Sequence, residues 1–221
     1  MTNSSPDARH TVKFHPSGSP SDGGQPTAGN RLPAAERREQ LLAVGRQVFA
    51  ETGFHGSSMS AVAERAGVTK PVLYQHFDNK RALYGAILSQ VGESLEQAVF
   101  SAAMAASTGR EQVFAGVDAA VQFVAQNPYG FQILLAAKNS TDDEWRGLAH
   151  RWRQSMATQI AALIVVEGML PAHQEALAYG VVGMVESMMG SWLDAENPAL
   201  DAASLSADLA ALAWFGLRGL S

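Results

Sequence analysis

Residues 57–80 read SSMSAVAERAGVTKPVLYQHFDNK, and this stretch decides the fold. Met59, Val62, Ala63 and Ala66 recur at steps of three and four, the pattern of a short amphipathic helix. Ser57 or Ser58 supplies its N-cap. Gly67 stops it, because glycine accepts the left-handed conformation of a helix C-terminus. Thr69 is placed to cap a second helix, with Pro71 in the first turn, where a missing N–H costs nothing. Val72, Leu73 and Phe77 give that helix a buried face, and Ala63 is small where the two helices approach. Lys70, Tyr74, Gln75 and His76 point the other way, and all form hydrogen bonds. Two helices held across a tight turn, the second polar on its outer face, are suited to entering a DNA major groove.

Working outward, Pro33 opens a helix running to about residue 52, with Leu41, Leu42, Val44, Val48 and Phe49 as its apolar stripe and Gly53 at its end. Arg37 and Arg38 near its start oppose the helix dipole, which favours an external anion such as phosphate. The same pair reads equally as a solvated face beside Glu36 and Glu39. On the other side, Asp78 or Asn79 caps a helix beginning at Lys80 and continuing to about residue 106. Lys80 at a helix N-terminus suits a phosphate. This long helix links the helix-turn-helix to the rest of the chain, so whatever tilts it moves the recognition helix.

Charge is divided along the chain. Residues 31–81 hold eight Lys/Arg against five Asp/Glu, whereas residues 82–221 hold six against fourteen. The positive segment is the one carrying the helix-turn-helix pattern, as an electrostatic footprint for DNA should be. There are no cysteines among the 221 residues, which excludes disulfides, thiolate chemistry and Cys-based metal sites. No apolar run approaches the roughly 18 residues of a membrane helix, and no signal-peptide pattern opens the chain. A soluble cytoplasmic protein is expected. G-x-S-x-G, a glycine-rich phosphate loop and H-E-x-x-H are all missing from the sequence, so no enzyme, cofactor or metal site is expected. Residues 1–30, rich in Ser, Pro, Gly, Thr and Asp, read as a disordered tail; alternatively, their basic end near Arg31 forms an arm for a minor groove. His10 and His15 there read as tail residues, not metal ligands.

Residues 82–221 read as further helices. Residues 111–126 form one, broken by Asn127-Pro128, and the apolar residues 129–137 form another, a helix buried all round or the wall of a cavity for a greasy ligand. A capping box from Thr141 to Glu144 starts a helix reaching about residue 168. Along it Trp145, Trp152 and Met156 form an apolar stripe, with Arg146, His150 and Arg153 on a neighbouring face. That basic face is either solvated or a holder for a phosphate-bearing head at the mouth of an apolar tunnel. Pro171 starts a helix to about residue 193, with Gly180, Gly183, Ser187 and Gly190 on one side, where another helix can approach closely. Met184 and Met188 read as adaptable packing or tunnel lining. The last helix, about 204–219, is too apolar around its circumference to face water alone.

The pieces F-A-E-x-G-F at 49–54, S-M-x-x-V-A-x-x-A-G-V at 58–68, K-P-V-L-Y-Q-H-F at 70–77 and K-x-x-L-Y at 80–84 resemble the DNA-binding domain of the TetR family of bacterial regulators. More narrowly, G-N-R-L-P-x-x-E-R-R at 29–38, G-V-V-G-M at 180–184 and W-L-D-A-x-x-P at 192–198 are similar to the FasR-type regulators of fatty-acid synthesis, which respond to long-chain acyl-CoA. The resemblance implies an all-α homodimer binding double-stranded palindromic DNA: a tail (1–30), a DNA-binding domain (31–81) and a ligand-binding and dimerisation domain (82–221). It implies that Tyr74, His76 and Lys80 touch phosphates and that Thr69, Lys70, Pro71 and Gln75 lie at base edges; Arg37, Ser57 and Ser58 complete the set. For a hydrophobic effector, suspected to be a long-chain acyl-CoA, the candidates are Phe123, Phe131, Leu134, Leu135, Trp145, Arg146, Trp152, Arg153, Met156, Met184 and Met188. For the dimer they are Gly180, Gly183, Ser187, Gly190, Leu209, Leu212 and Phe215. Two alternatives stand beside this: a repressor responding to a drug or small hydrophobic metabolite, and a helical lipid carrier with a vestigial helix-turn-helix.

Overall fold

A computed structural model describes residues 32–195 and 200–218, with the side chains of 217 and 218 excepted. The expected tail or arm at 1–30 therefore lies outside the described residues. Among those described, the elements are α1 (Ala34–Gly56), α2 (Met59–Arg65), α3 (Lys70–Tyr74), α4 (Lys80–Met104), α5 (Gly109–Gln126), α6 (Pro128–Lys138), α7 (Asp143–Leu163), α8 (Pro171–Asp194) and α9 (Ala202–Arg218). The fold is all-α.

Short-range chemistry sets the first elements. Gly53 adopts φ 69°, ψ 169° and breaks the regular path of α1. Ser58, not Ser57, caps α2, its hydroxyl accepting from the Ala61 N–H. At the other end of α2, Gly67 has φ 66°. There the Val68 N–H reaches the Ala63 carbonyl at 3.0 Å and the Gly67 N–H the Glu64 carbonyl at 3.1 Å. This is the Schellman closure that turns the chain into α3. Thr69 occupies the N-cap of α3 without a side-chain capping bond. Leu41, Val62, Leu73 and Leu83 are buried together and seal α1, α2, α3 and the start of α4 into one core. Gln40 crosses that core's edge to donate to the Ala66 carbonyl. Asn79 caps α4, accepting from the Ala82 N–H.

α5, α6 and α7 pack against α4, α6 also against α1, while α8 packs on α7 and α9 on α5. A capping box the sequence reading had not marked, Thr108 with Glu111, starts α5. Expectation fails at both ends of α7. Asp142, not Thr141, is the cap: it stands one residue closer to the helix, and its carboxylate accepts from the Glu144 N–H. The helix stops at Leu163 rather than near residue 168, as the backbone turns extended at Ile164. Gln174 of α8 then donates to the Ile164 carbonyl at 2.7 Å. Between α4 and α7, Gly92 admits Trp152: a Cβ on Gly92 would sit 2.9 Å from Trp152 Cδ1. The Trp152 indole N–H donates to the Gly92 carbonyl at 3.0 Å.

Candidate functional site

Two regions offer chemistry. The first is the outer face of α3. Lys70, Pro71 and Gln75 are exposed there, Tyr74 is 48% exposed, and His76 is half-buried. Thr69, with its hydroxyl free of capping duty, lies at the helix start. Beneath them Leu73 and Phe77 hold the helix to the core. On α1, Arg37 Nη1 donates to Gln40 Oε1 at 2.5 Å, and the Arg38 guanidinium lies 4.8 Å from the Phe77 ring centre.

Two candidates in this region are turned inward. Ser57 is buried and its hydroxyl donates to the Phe54 carbonyl at 2.8 Å. Lys80 Nζ donates to the Phe54 and Ser57 carbonyls at 2.6 and 2.9 Å, and lies 4.5 Å from the Phe54 ring centre. Two of the ammonium's three donors are thus spent on fastening the α1–α2 connection to α4.

Next to Lys80, Arg81 makes a clamp that pattern reading missed. Its Nη1 and Nη2 donate to the two oxygens of Asp142, both at 2.8 Å, and its Nε donates to Glu144 at 2.6 Å. The guanidinium also lies 4.5 Å from the Trp145 ring centre. The Asp142 hydrogen bond raises the Arg81 pKa, and the same bond holds the Asp142 carboxyl below the usual carboxylate range. Trp145 stacks edge-on with Tyr84 and Phe54, ring centres 5.0 and 5.7 Å away. Burial pushes the Tyr84 phenol up to about 12.

The second region is a cavity of about 700 Å³, partly open to solvent and lined by residues of α4 to α9. Its wall is mostly apolar: Val99 and Phe100 from α4, Val117 from α5, Ile160 from α7, Val182 from α8 and Trp214 from α9 are typical. Phe131, Trp152 and Met156, expected from the sequence, line it. The remaining ligand candidates are elsewhere. Trp145 belongs to the aromatic cluster, and Leu134 lines a smaller cleft on the other side of Trp152. Phe123, Leu135, Met184 and Met188 pack half-buried against the core. Arg146 is exposed and bound to Asp143 and to the Ser140 carbonyl. Arg153 Nε donates to Glu186 at 3.0 Å. Of the two readings of this basic face, neither a solvated surface nor a ligand holder describes Arg146 and Arg153 fully, since each is held in an ion pair. Val113, Val117, Glu186 and Ala213, not singled out as ligand residues from the sequence, line the cavity.

On the outer side of α8, a Cβ on Gly180 or Gly183 would meet nothing within 4 Å, and Ser187 is exposed. On α9, Leu212 and Phe215 are 54% and 62% exposed. Gly190 and Leu209 face inward instead: a Gly190 Cβ would lie 3.2 Å from Leu135 Cδ1, and Leu209 is fully buried within the subunit. Gly190 is ten residues beyond Gly180, which at 3.6 residues per turn carries it roughly 80° around the helix. Among the described residues no group of acidic, His or Cys side chains is placed to hold a metal ion, and no helix is long and apolar enough to cross a membrane.

Comparison with known proteins agrees with this arrangement. Residues 41–87 match the family described as bacterial regulatory proteins, tetR family. Residues 109–216 match the tetracyclin repressor-like C-terminal domain. The HTH-type transcriptional activator FasR of Mycolicibacterium smegmatis (strain ATCC 700084 / mc(2)155) is 32% identical over 190 residues, 86% of each chain. A TetR-like transcriptional regulator from Rhodococcus sp. RHA1 superposes with a TM-score of 0.71 at 27% identity, over 86% of this chain and 100% of that one. The transcriptional regulator FadR of Bacillus subtilis, in complex with stearoyl-CoA, shares the fold at a TM-score of 0.65 and 16% identity, over 79% of this chain and 96% of that one. An exposed polar recognition helix, a helical domain around a cavity and these matches together place the chain in the TetR family: it is a helix-turn-helix transcriptional regulator and not an enzyme.

Proposed function

We propose that this regulator controls genes of fatty-acid metabolism and that its effector is a long-chain acyl-CoA. The observation that carries the reading is the apolar cavity of about 700 Å³, within the roughly 300–1,000 Å³ of ligand pockets. The similarity to FasR and the stearoyl-CoA bound by FadR support a fatty acyl occupant. In this reading residues 31–81 bind DNA and residues 82–221 bind the effector and a second copy. Thr69, Lys70, Pro71 and Gln75 meet base edges, and Tyr74, His76 and Arg37 meet phosphates. Gly180, Gly183, Ser187, Leu212 and Phe215 meet the partner subunit, and a two-fold dimer reads a palindrome. The Arg81 clamp gives the effector domain a hold on the first turn of α4, whose distal end lines the cavity, so a ligand that shifts α4 alters DNA affinity.

One observation favours a second reading, a small uncharged hydrophobic effector. None of the described cavity-lining residues is basic, and Arg146 and Arg153 are both engaged by carboxylates. Fluorescence-anisotropy titration of the full chain against DNA upstream of its own gene and of fatty-acid synthase genes, with and without palmitoyl-CoA, separates the two. Specific binding altered by palmitoyl-CoA is the expected result. Specific binding indifferent to it discards the acyl-CoA effector and leaves the regulator.

A further inference from the structure

The cavity wall carries one buried carboxylate. Glu186 is only 4% exposed. Helical spacing places it with Val182, Val185 and Met189 on the face of α8 that borders the cavity. Its Oε2 accepts from Lys138 Nζ at 2.9 Å and its Oε1 from Arg153 Nε at 3.0 Å. Neither cation is among the lining residues. A carboxylate offers about four lone-pair directions, so two hydrogen bonds leave it with acceptor capacity. Inside the cavity a ligand meets a carboxylate acceptor. A plain alkyl chain beside it returns no hydrogen bond to that spare acceptor capacity. An anionic group there meets like charge. A hydroxyl donates a charge-assisted hydrogen bond.

We propose that Glu186 is a specificity-determining residue, and that the preferred effector is an acyl thioester whose long chain carries a hydroxyl at the depth of Glu186. The proposal rests on the acyl-CoA reading above and narrows it. Isothermal titration of the full chain with stearoyl-CoA and with three hydroxystearoyl-CoA isomers, bearing the hydroxyl near the thioester, at mid-chain and near the methyl end, tests it. One isomer is expected to bind about tenfold or more tightly than stearoyl-CoA, the range for a hydrogen bond to a charged group. Glu186→Met keeps the shape and removes the acceptor, while Lys138 and Arg153, with side chains 37% and 23% exposed, retain access to water. That variant is expected to lose the margin and to hold stearoyl-CoA at least as well as the unaltered chain. If Glu186→Met does not fold, Glu186→Gln is expected to reduce the margin, and the unaltered chain's ranking stands by itself. Stearoyl-CoA binding as tightly as every isomer overturns the proposal and leaves the acyl-CoA reading intact, as does a margin that survives in Glu186→Met. Binding of neither stearoyl-CoA nor any isomer removes the acyl-CoA reading and the proposal with it.

Discussion

The two ends of α4 sit in opposite environments. At its first turns, Leu83 and Ile87 lie in a solid core with Leu41, Val62 and Leu73, each 0% exposed. At its far end Leu95, Val99 and Ala103 border an open cavity. The helix-turn-helix displays its chemistry outward, on side chains such as Lys70 and Gln75 that no internal contact claims. The C-terminal domain instead leaves space inward, between helices that would otherwise close. A surface that reads DNA must be rigid beneath and polar above; a site that admits a small molecule must keep packing incomplete, which native interiors seldom do.

The largest test of this difference compares one substitution at each end. Leu73→Ala is expected to cost about 2–5 kcal/mol, the range for a large-to-small change in a packed core, and to abolish DNA binding with the fold. Val117→Phe adds bulk where the wall faces empty space, so it is expected to change stability by less than about 1 kcal/mol, whereas overpacking a full core costs about 1–3. It is also expected to weaken palmitoyl-CoA binding. Urea midpoints measure both. Val117→Phe unfolding as readily as Leu73→Ala would erase the contrast. Next in size, Lys70→Ala and Gln75→Ala are each expected to weaken operator binding about tenfold, within the roughly 1–3 kcal/mol of a base contact, leaving the melting temperature and acyl-CoA affinity unchanged. Anisotropy and thermal melts read these together.

Smaller still are two pH effects at the junction. The Tyr84 phenol, raised by burial to about 12, stays protonated in the fold where an exposed tyrosine ionises near about 10. Its contribution is therefore full below about 10 and lost as pH climbs toward the folded value. Tyr84→Phe is expected to flatten the alkaline limb of the melting curve. The Asp142 carboxyl runs the opposite way. Lowered by the Arg81 hydrogen bond, it stabilises above the ordinary aspartate value of about 3.9 and loses that contribution as pH falls through its folded value. Arg81→Gln is expected to soften the acid limb slightly, as befits an exposed pair.

The same contrast explains what the sequence disclosed. Gly67 and Pro71 act through backbone rules that operate within a few residues, so the turn and both short helices were legible. Exposed hydrogen-bond formers on α3 were legible because their neighbours account for the buried face. Lys80 was not, since its partners, the Phe54 and Ser57 carbonyls, belong to a connection more than twenty residues earlier. Glu186 was missed for the same reason: its partners come from α6 and α7. Periodicity identified the stripe on α7, but it assigns a side chain to a face and not to what lies across from it. Trp145 and Trp152 share that stripe, yet one meets Tyr84 and the other the cavity. Leu209 and Leu212, three residues apart on α9, likewise differ only in the company they keep: one is core and the other solvent-facing.

The tryptophans have a practical consequence. Of the four in the chain, Trp152 and Trp214 line the cavity, while Trp145 sits at the junction beside Arg81. Indole emission responds to local polarity and to quenching by nearby groups, so the protein carries intrinsic optical probes at both the cavity and the junction. With Trp192 replaced as well, changing Trp145 to phenylalanine leaves the cavity pair to report on the cavity, and changing the cavity pair leaves Trp145 to report on the junction. The order of the two signals after rapid mixing with palmitoyl-CoA tests, without any attached label, whether a change at the cavity precedes one at the junction.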